Sequence, residues 1–521
     1  MQHYIKPEHY KRLSTVRIQR IVLKNFKNVD YGRIVLDCGR HFVPQGTSAD
    51  ILGVYGQNGS GKTSIIEALA ILKQVMSGNS IPDSYSNCIS NCSSYAQIEF
   101  TFDFQYNDNR RRKVDYSFKL KSVENNESDF SEESDEIVTF LSSMLNSEKK
   151  LVVYDENIYM SGDFYGDTIK YQAIIDTSSE DIKNPFLPVS KRKFFLGHET
   201  DEILLAQSVN KAVASKSSKS YIFMDETMKS FFVNSKASEY YEVLAELKLF
   251  AAQYLYVIDT KVLGTVSTNK IFPLYSVNSN NRAYNIFSEM LLEDDEKVEL
   301  DKVLGANSIP NLLSMGGPST VDLETFEKIS KQFDNINIVL EQIVPGMQVK
   351  FKKISDTLTK KLKQAVVAEL VSCRDGNEMP FSYESDGIKK IISVLELIIK
   401  AYNQKSTTIA IDELDSGVFE YLLGEILETF QDGGHGQFIF TSHNLRPLEI
   451  IDKNFLYFTT ANPKNRYVRL KNIGKTNNLR NVYYREIVLG EQDDVLYKRT
   501  QQHKIALAFR KAGRIDGEAK G

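Results

Sequence analysis

The chain has 521 residues, with 64 Lys+Arg against 68 Asp+Glu and a formal net charge of −4, so no global basic field marks it as a nucleic-acid binder and any cationic surface must be local. With 42% hydrophobic and 25% charged residues it can bury a substantial core, which excludes wholesale disorder and predicts roughly two to four structural units. The longest apolar run, 391–399, is interrupted by Glu396, whereas a membrane-spanning helix needs about 18 uncharged residues.

The start, MQHYIKPEHYKRL, has no apolar signal-peptide core. Four cysteines, Cys38, Cys88, Cys92 and Cys373, suit a reducing cytoplasm better than a disulfide scaffold, so a cytoplasmic location is expected. Cys88 and Cys92 form a lone close pair without a second pair or a nearby His, and no zinc site is expected there.

Taken in chain order, two alternating stretches, 16–23 and 32–36, flank the polar Asn25-Phe26-Lys27-Asn28 segment, and a third apolar run, 51–55, ends in a Gly-rich loop. Residues 64–76 carry Ile65, Leu69, Leu72 and Met76 at helical spacing, so the loop joins a strand to a helix. Residues 95–104 alternate as a strand that pairs with 114–120 across the polar turn 107–110. Seven acids crowd the Ser-rich run 124–136, which reads as a solvated loop without chemistry.

From about 180 to 345 the pattern is mostly helical: 238–257 is apolar-periodic, and Ser319 with Asp322 opens a capped helix over 323–344. No heptad pattern is sustained, so no long coiled-coil arm is expected. Residues 348–353 and 364–372 read as strands returning to the core, followed by a helix from about 387 to 402. Two buried strands, 407–411 and 437–441, end in polar residues placed to line a site at the strands' carboxyl ends.

The strongest chemical signal is Gly56-Gln57-Asn58-Gly59-Ser60-Gly61-Lys62-Thr63, which fits the G-x-x-x-x-G-K-[ST] phosphate loop in its strand-to-helix setting. Glycines let the backbone curl so that N–H groups point at phosphate oxygens, and the helix that follows, through Ser64, presents its positive end. Lys62 then neutralises the β- and γ-phosphates and the Thr63 hydroxyl ligates Mg²⁺. Gly-rich strand-to-helix turns without ligands exist, but they seldom match the full pattern.

A second signal is Asp412-Glu413, directly after the apolar strand. An Asp in that place holds Mg²⁺, and the adjacent carboxylate orients or deprotonates the attacking water; alone, such a pair is common. Thr441-Ser442-His443-Asn444 follows the next strand and puts an imidazole within reach of a γ-phosphate, although a lone His after a strand is more often structural. A third signal is the turn Glu384-Ser385-Asp386-Gly387-Ile388-Lys389-Lys390, whose hydroxyl and N–H groups form a second phosphate edge or, in isolation, an ordinary helix N-cap.

In this order, the phosphate loop, E-S-D-G-x-K-K, I-D-E-L-D and T-S-H-N resemble the ABC-type ATPase heads of SMC proteins and OLD-like prokaryotic ATPases, and most closely the AAA-labelled branch related to abortive-infection ATPases. The resemblance covers roughly 14–120 and 347–460. It implies an α/β fold, a P-loop NTPase head of the ABC type with a mixed sheet flanked by helices and a large, mainly helical insertion. It also implies a head-to-head homodimer or higher homo-oligomer that sandwiches ATP with Mg²⁺. In that scheme Ser385 and Gly387 reach the partner's γ-phosphate, Asp412 holds the metal, Glu413 handles the water, Asp415 takes the D-loop role and His443 the switch-histidine role.

The pattern departs from the family in places. Lys62 and Asp412 lie 350 positions apart, a Q-loop cannot be placed, and the His-Pro pair expected soon after Glu413 is replaced by Leu414-Asp415-Ser416-Gly417-Val418-Phe419. The 78 residues after His443 are too few for an OLD-type nuclease domain, and the cluster Glu491, Asp493 and Asp494 reads as a solvated turn. The expected organisation is a first head segment over 1–120, an acidic loop and connecting segment over 121–179, a helical insertion over 180–346, a second head segment over 347–460 and a basic extension over 461–521.

Lys464, Arg466, Arg469, Lys471, Lys475, Arg480 and Arg485 occur without an acid among them and are interleaved with Tyr467, Tyr483 and Tyr484. Such a strip tracks a phosphate backbone or an acidic protein face, though charge runs are usually solvated. The cluster Arg110-Arg111-Arg112-Lys113 sits at a hairpin and reads equally as a polar turn. Three functions are weighed. The first is an ATP-driven switch that controls a separately encoded effector protein in prokaryotic phage defence. The second is a DNA-repair or DNA-maintenance ATPase that binds DNA or RNA directly. The third, a non-hydrolysing scaffold, is disfavoured by Glu413.

Overall fold

The computed structural model describes residues 14–36, 50–124, 149–164, 167–181, 183–235, 238–259, 271–273, 312–314, 317–358, 364–470, 478–489, 494–497 and 501–515. Strands β1 (Ser14–Phe26) and β2 (Val29–Val35) form a hairpin, β3 (Asp50–Tyr55) leads into the Gly-rich loop, and α1 (Lys62–Ser77) leaves it. Strands β4 (Ala96–Tyr106), β5 (Arg111–Glu124), β6 (Lys149–Phe164) and β7 (Asp167–Asp176) extend the hairpin into one antiparallel sheet of order β2-β1-β4-β5-β6-β7. The segment expected to be connecting chain over 121–179 therefore supplies two long strands. Their acids are spread along a half-buried alternating face, as in Asp155 and Asp163, which pair with Lys119 and with the N–H of Arg111. Beyond Glu124, which ends β5, the acidic run lies outside the described residues.

Four helices follow: α2 (Val189–Leu196), α3 (Asp201–Lys216), α4 (Asp225–Ser235) and α5 (Glu239–Gln253). Thr200 and Ser238 cap α3 and α5 by accepting the N–H of Ile203 and Tyr241. Buried Glu156 fastens this layer to the sheet, accepting from Tyr116 Oη, Ser220 Oγ and the N–H of Tyr221. Burial raises its pKa, and those bonds to Ser220, Tyr116 and Tyr221 oppose the rise.

The helical reading of 238–257 needs a correction, because α5 stops at Gln253 and β8 (Leu255–Ile258) follows. It joins the central sheet in parallel with the strand that carries Asp412. Beyond it come the short hairpin of β9 (Ile271–Pro273) and β10 (Leu312–Ser314), then β11 (Ser319–Asp322) and α6 (Leu323–Ile343). Asp322 caps α6, accepting the N–H of Thr325 at 2.9 Å, but Ser319 is buried in β11 and takes no part in the cap.

Strands β12 (Met347–Leu358), β13 (Gln364–Arg374) and β14 (Asn377–Pro380) do not return to the central sheet. With β11 they make a separate antiparallel sheet centred on β13 and packed on α6. Helix α7 (Asp386–Asn403) belongs to two cores, placing Ile392 and Leu395 against that sheet and Val394, Leu397 and Ala401 against the central one.

The last stretch contains β15 (Thr408–Ile411), α8 (Glu420–Gly433), β16 (Gln437–Thr441), α9 (Pro447–Ile450), β17 (Leu456–Thr459), β18 (Tyr467–Val468), α10 (Leu479–Leu489) and α11 (Gln502–Ile515). The central sheet has order β18-β17-β3-β16-β15-β8, with only β18 antiparallel. Its strands run as apolar stretches because both faces are covered: α1, α5 and the antiparallel sheet lie on one side, α7, α8 and α10 on the other. Strand β16 lies between β3 and β15, so three carboxyl ends meet where the Gly-rich loop begins.

Candidate functional site

The loop after β3 bends through residues that tolerate only glycine. Gly56, Gly59 and Gly61 have φ of 151°, 71° and 94°. A Cβ on Gly56 would stand 1.7 Å from Thr459 Oγ1, and one on Gly61 would meet Asn28 Oδ1 at 3.0 Å. Ser60 bonds Thr459 from inside the loop, Asn28 donates to the Gly59 carbonyl, and Tyr467 Oη donates to the Gly61 carbonyl at 2.7 Å. Lys62 curls back over the loop, its Nζ donating to the carbonyls of Gly56 (3.0 Å) and Gln57 (3.1 Å). Burial lowers its pKa, while Asp412, Glu413 and Asp415 pull it back up.

Across from the loop stand the ends of β15 and β16. Lys62, Thr63, Glu413, Asp415, Thr441 and His443 line one cleft of about 360 Å³, together with Asn58, Gly59 and Ser416. Asp412 lies fully buried behind them. The Thr441 hydroxyl donates to Asp412 Oδ1 and accepts the Glu413 N–H at 2.8 Å, tying both acids to the neighbouring strand. Asp412 Oδ2 is buried and has no hydrogen-bond partner among the described residues. Burial raises the Asp412 pKa, and the hydrogen bond from Thr441, then the nearby Thr63 hydroxyl, counter the rise.

Such an orphaned carboxylate oxygen beside a threonine hydroxyl fits a hard divalent cation of the Mg²⁺ kind, which takes oxygen donors from one or two carboxylates and otherwise keeps its waters. Asp415 faces the turn after β16: its Oδ2 accepts the N–H groups of His443 (3.1 Å) and Asn444 (3.0 Å). Burial lowers the His443 pKa, and the Lys62 charge lowers it further, against Asp415, Glu413 and Asp412. These effects favour the neutral imidazole, which can both donate and accept.

Every phosphate-loop position expected from the sequence lies at the β3–α1 junction, with Ser64 buried beneath it near Asn28 Oδ1. The structure brings Asp412, Glu413, Asp415 and His443 to this loop from 350 and more positions away. Ser385 and Gly387 lie elsewhere, on a second cleft of about 470 Å³ that also includes Gly417, Phe419 and Tyr421. Ser385 caps α7, accepting the Ile388 N–H at 3.4 Å. A Cβ on Gly387 would come within 1.9 Å of the Gly417 carbonyl. Lys390, one turn into α7, donates to the Glu413 carbonyl, and burial depresses its pKa to about 8 against Asp415, Glu413 and Asp412.

Several residues at the site escaped the sequence reading. Thr441 was visible only as one member of T-S-H-N. Asn28, Thr459 and Tyr467 brace the loop from remote segments. Asp259, 2% exposed, follows β8 next to Asp412 and accepts the Tyr85 hydroxyl at 2.6 Å. The Asp412 N–H donates to the Ile258 carbonyl at 2.9 Å, so the two acids end neighbouring strands. An apolar quartet closing on an acid, Leu-Tyr-Val-Ile-Asp, was the available signal for Asp259.

Part of the cationic strip bonds the protein itself, while Lys464 and Arg485 are exposed. Arg466 donates to the carbonyls of Thr460 and Asn28, Arg469 to that of Val35, and Arg480 to Glu449. Lys471 and Lys475 lie outside the described residues, as do Glu491 and Asp493, whereas Asp494 accepts the side-chain amides of Asn462 and Asn465. Arg112 is buried over Phe164 and bonds Glu239, while Arg110 pairs with Asp108 at the hairpin, which is the polar-turn reading. Among the described residues no His, Cys, Asp and Glu group has the makings of a metal site of three or more ligands, and no helix is long and apolar enough to cross a membrane.

The geometry defines a P-loop nucleotide site at the carboxyl end of a parallel sheet. Residues 51–229, about a third of the chain, match the family described as AAA domain, putative AbiEii toxin, Type IV TA system. That match and the site agree on an α/β P-loop fold with a nucleotide-binding loop. No curated protein matches the chain. Among solved structures it is similar to the SMC head domain from Thermotoga maritima, at 13% identity and a TM-score of 0.31, over 88% of this chain and 100% of that one. An SMC head bound to the C-winged helix domain of ScpA overlaps at 12% identity and a TM-score of 0.36, over 87% and 97%. The recombination mediator RecF with ATP does so at 13% and 0.29, over 82% and 94%. Overlaps this loose assign no residue a role.

Proposed function

We propose that the protein is an ATP-hydrolysing switch whose heads pair around ATP and Mg²⁺, and that this pairing regulates a separately encoded effector in prokaryotic phage defence. The observation that carries the catalytic part is the single cleft in which Lys62 and Thr63 face Glu413, Asp415 and His443. Backbone N–H groups of residues 56–63 and the Lys62 ammonium bind the phosphates. Thr63 and Asp412 hold Mg²⁺, which supplies charge neutralisation at the phosphate oxygens. Glu413 orients the attacking water and accepts its proton, and neutral His443 donates to the γ-phosphate oxygen.

Pairing of two copies is supported by the position of Ser385 and Gly387 outside their own cleft. Set on a separate surface at the start of α7, they are available to a nucleotide held by a second copy. The resemblance to abortive-infection ATPases and the toxin-family description of residues 51–229 support the defence role, while the OLD-like affiliation rests on the motif resemblance and a cytoplasmic site of action on the cysteine content. Direct nucleic-acid binding through the strip at 464–485 is the weaker reading, because Arg466, Arg469 and Arg480 already bond protein groups.

The test is the mass and ATPase rate of Glu413→Gln beside the wild type, with and without ATP and with the products of neighbouring genes. ATP-dependent dimerisation or capture of one such product, with hydrolysis lost, supports the switch. Unchanged turnover and unchanged mass would refute it.

A further inference from the structure

Glu413 has a φ of 46°, in the left-handed region that a non-glycine residue keeps only when its surroundings enforce it. Three hydrogen bonds do so here. The Glu413 N–H is held by Thr441 Oγ1, its carbonyl accepts the Ser416 N–H at 2.9 Å, and the same carbonyl accepts Lys390 Nζ from α7. Lys390 is 8% exposed, so its ammonium makes that bond largely screened from water. A second contact joins the same two segments: the Gly387 Cα side presses on the Gly417 carbonyl, where a Cβ would have only 1.9 Å. The first turns of α7 and the loop 413–417 are thus clamped at two points. Ser385, the cap of α7, stands about 7 Å along the helix from Lys390.

We propose that Lys390 is a positioning residue that couples the two nucleotide sites of the paired ATPase. Contacts made by Ser385 with the nucleotide of the second copy are carried through α7 to Glu413 of its own cleft. The inference rests on the head-pairing reading above. A helix transmits displacement along its axis because its backbone hydrogen bonds make it stiff, and α7 is further stiffened by belonging to two cores. Any shift of its first turns moves the Glu413 carbonyl through Lys390 and residue 417 through Gly387. The carboxylate moves with the backbone that carries it. Lys390 does not line the cleft and acts through Glu413.

The experiment compares full-length wild type with Lys390→Met and Lys390→Arg. The Met variant keeps the packed stem and loses the donor. It should bind ATP within about twofold of wild type and lose roughly 10- to 100-fold in kcat, the usual effect of misplacing a catalytic group by about 1 Å. It should also lose the steepness of the ATP dependence, and Arg should restore part of both. A residue that only stabilised the fold would lower the melting temperature and leave steepness alone. Wild-type kcat and steepness in Lys390→Met would overturn the coupling.

If Lys390→Met does not fold, hydrogen exchange on the wild type decides. A non-hydrolysable ATP analogue should protect amides in 386–392 and 413–418 together, and Ser385→Arg should remove both effects. Protection confined to α7 would overturn the proposal. Wild type that neither hydrolyses ATP nor pairs would instead remove the head-pairing reading itself.

Discussion

Replacing Thr441 by valine should slow hydrolysis by about two orders of magnitude without unfolding the protein. Thr441 is fully buried, and its hydroxyl donates to Asp412 while accepting the Glu413 N–H. Valine keeps the shape and removes both bonds. A hydrogen bond to a charged group contributes about 1.5–3 kcal/mol, and a buried N–H left without a partner costs about 1–3 kcal/mol. Roughly 3–5 kcal/mol therefore bears on the placement of the two acids. The strand pairing around them is untouched, since residues 408–411 keep their parallel register with 437–440. Most of the loss should accordingly appear as displaced carboxylates rather than as global unfolding. About 3 kcal/mol on the hydrolytic step corresponds to a little over a hundredfold. Steady-state ATPase kinetics with a thermal melt on the same samples measure both parts. Thr441→Ser restores the hydroxyl and should recover turnover to within a few fold. Wild-type kcat in Thr441→Val, or equal damage in Thr441→Ser, would refute the reasoning.

Gly56→Ala should weaken ATP binding at least tenfold, because its Cβ would collide with Thr459 Oγ1 at 1.7 Å; normal affinity by titration would show that the loop can open without cost. Ser385→Arg should leave ATP affinity intact and abolish turnover, and unchanged turnover would remove the shared site. Lys73→Met should raise the melting temperature by a few degrees at neutral pH. Lys73 is 8% exposed over the Tyr256 ring, and burial, then the Lys400 charge, depress its pKa to about 8 from 10.5. Between pH 8 and 10.5 the unfolded chain holds the proton that the folded chain has released, so stability rises with pH across that window. The variant should flatten this rise in melts taken from pH 7 to 10, and a slope as steep as that of wild type would show that Lys73 does not cause it.

What could be read directly from the sequence was chemistry carried by contiguous residues. The phosphate loop is legible because its geometry demands glycine at fixed offsets, and Gly56, Gly59 and Gly61 do have positive φ. Asp412-Glu413 is legible because the apolar run Ile409-Ala410-Ile411 before it reads as a buried strand when both faces are covered. Residues acting over long sequence distances were not legible. Thr459 and Tyr467 meet the loop from about 400 positions away, and nothing local marks them. Strand β8 was lost because its apolar residues continue the helical period of α5 into Tyr256 and Val257, and a four-residue strand carries too little alternation to override it. The cationic strip was only partly legible for a related reason: a run of charge shows that partners are needed, and Arg469 and Arg466 have theirs in the carbonyls of Val35 and Asn28.

The loss of β8 from the sequence reading bears on how a switch of this kind could be driven. Had 180–346 been a separate helical appendage, a signal received there would need a dedicated path to the cleft. Instead α5 runs directly into β8, and β8 ends in Asp259 beside Asp412. Helix α5 also packs on α1, which begins at Lys62 and Thr63. The antiparallel sheet is fastened to the same helical layer through Glu156 and Ser220, and Tyr85, just beyond α1, bonds Asp259. A displacement of the helical layer therefore acts on both sides of the cleft: on the phosphate loop through α1 and on the metal-side carboxylate through β8. Because the interior is close-packed, neither can shift alone. In the proposed switch, any load on α2–α5 and the nucleotide state in the cleft would be linked by shared elements, and the linkage would run equally in both directions.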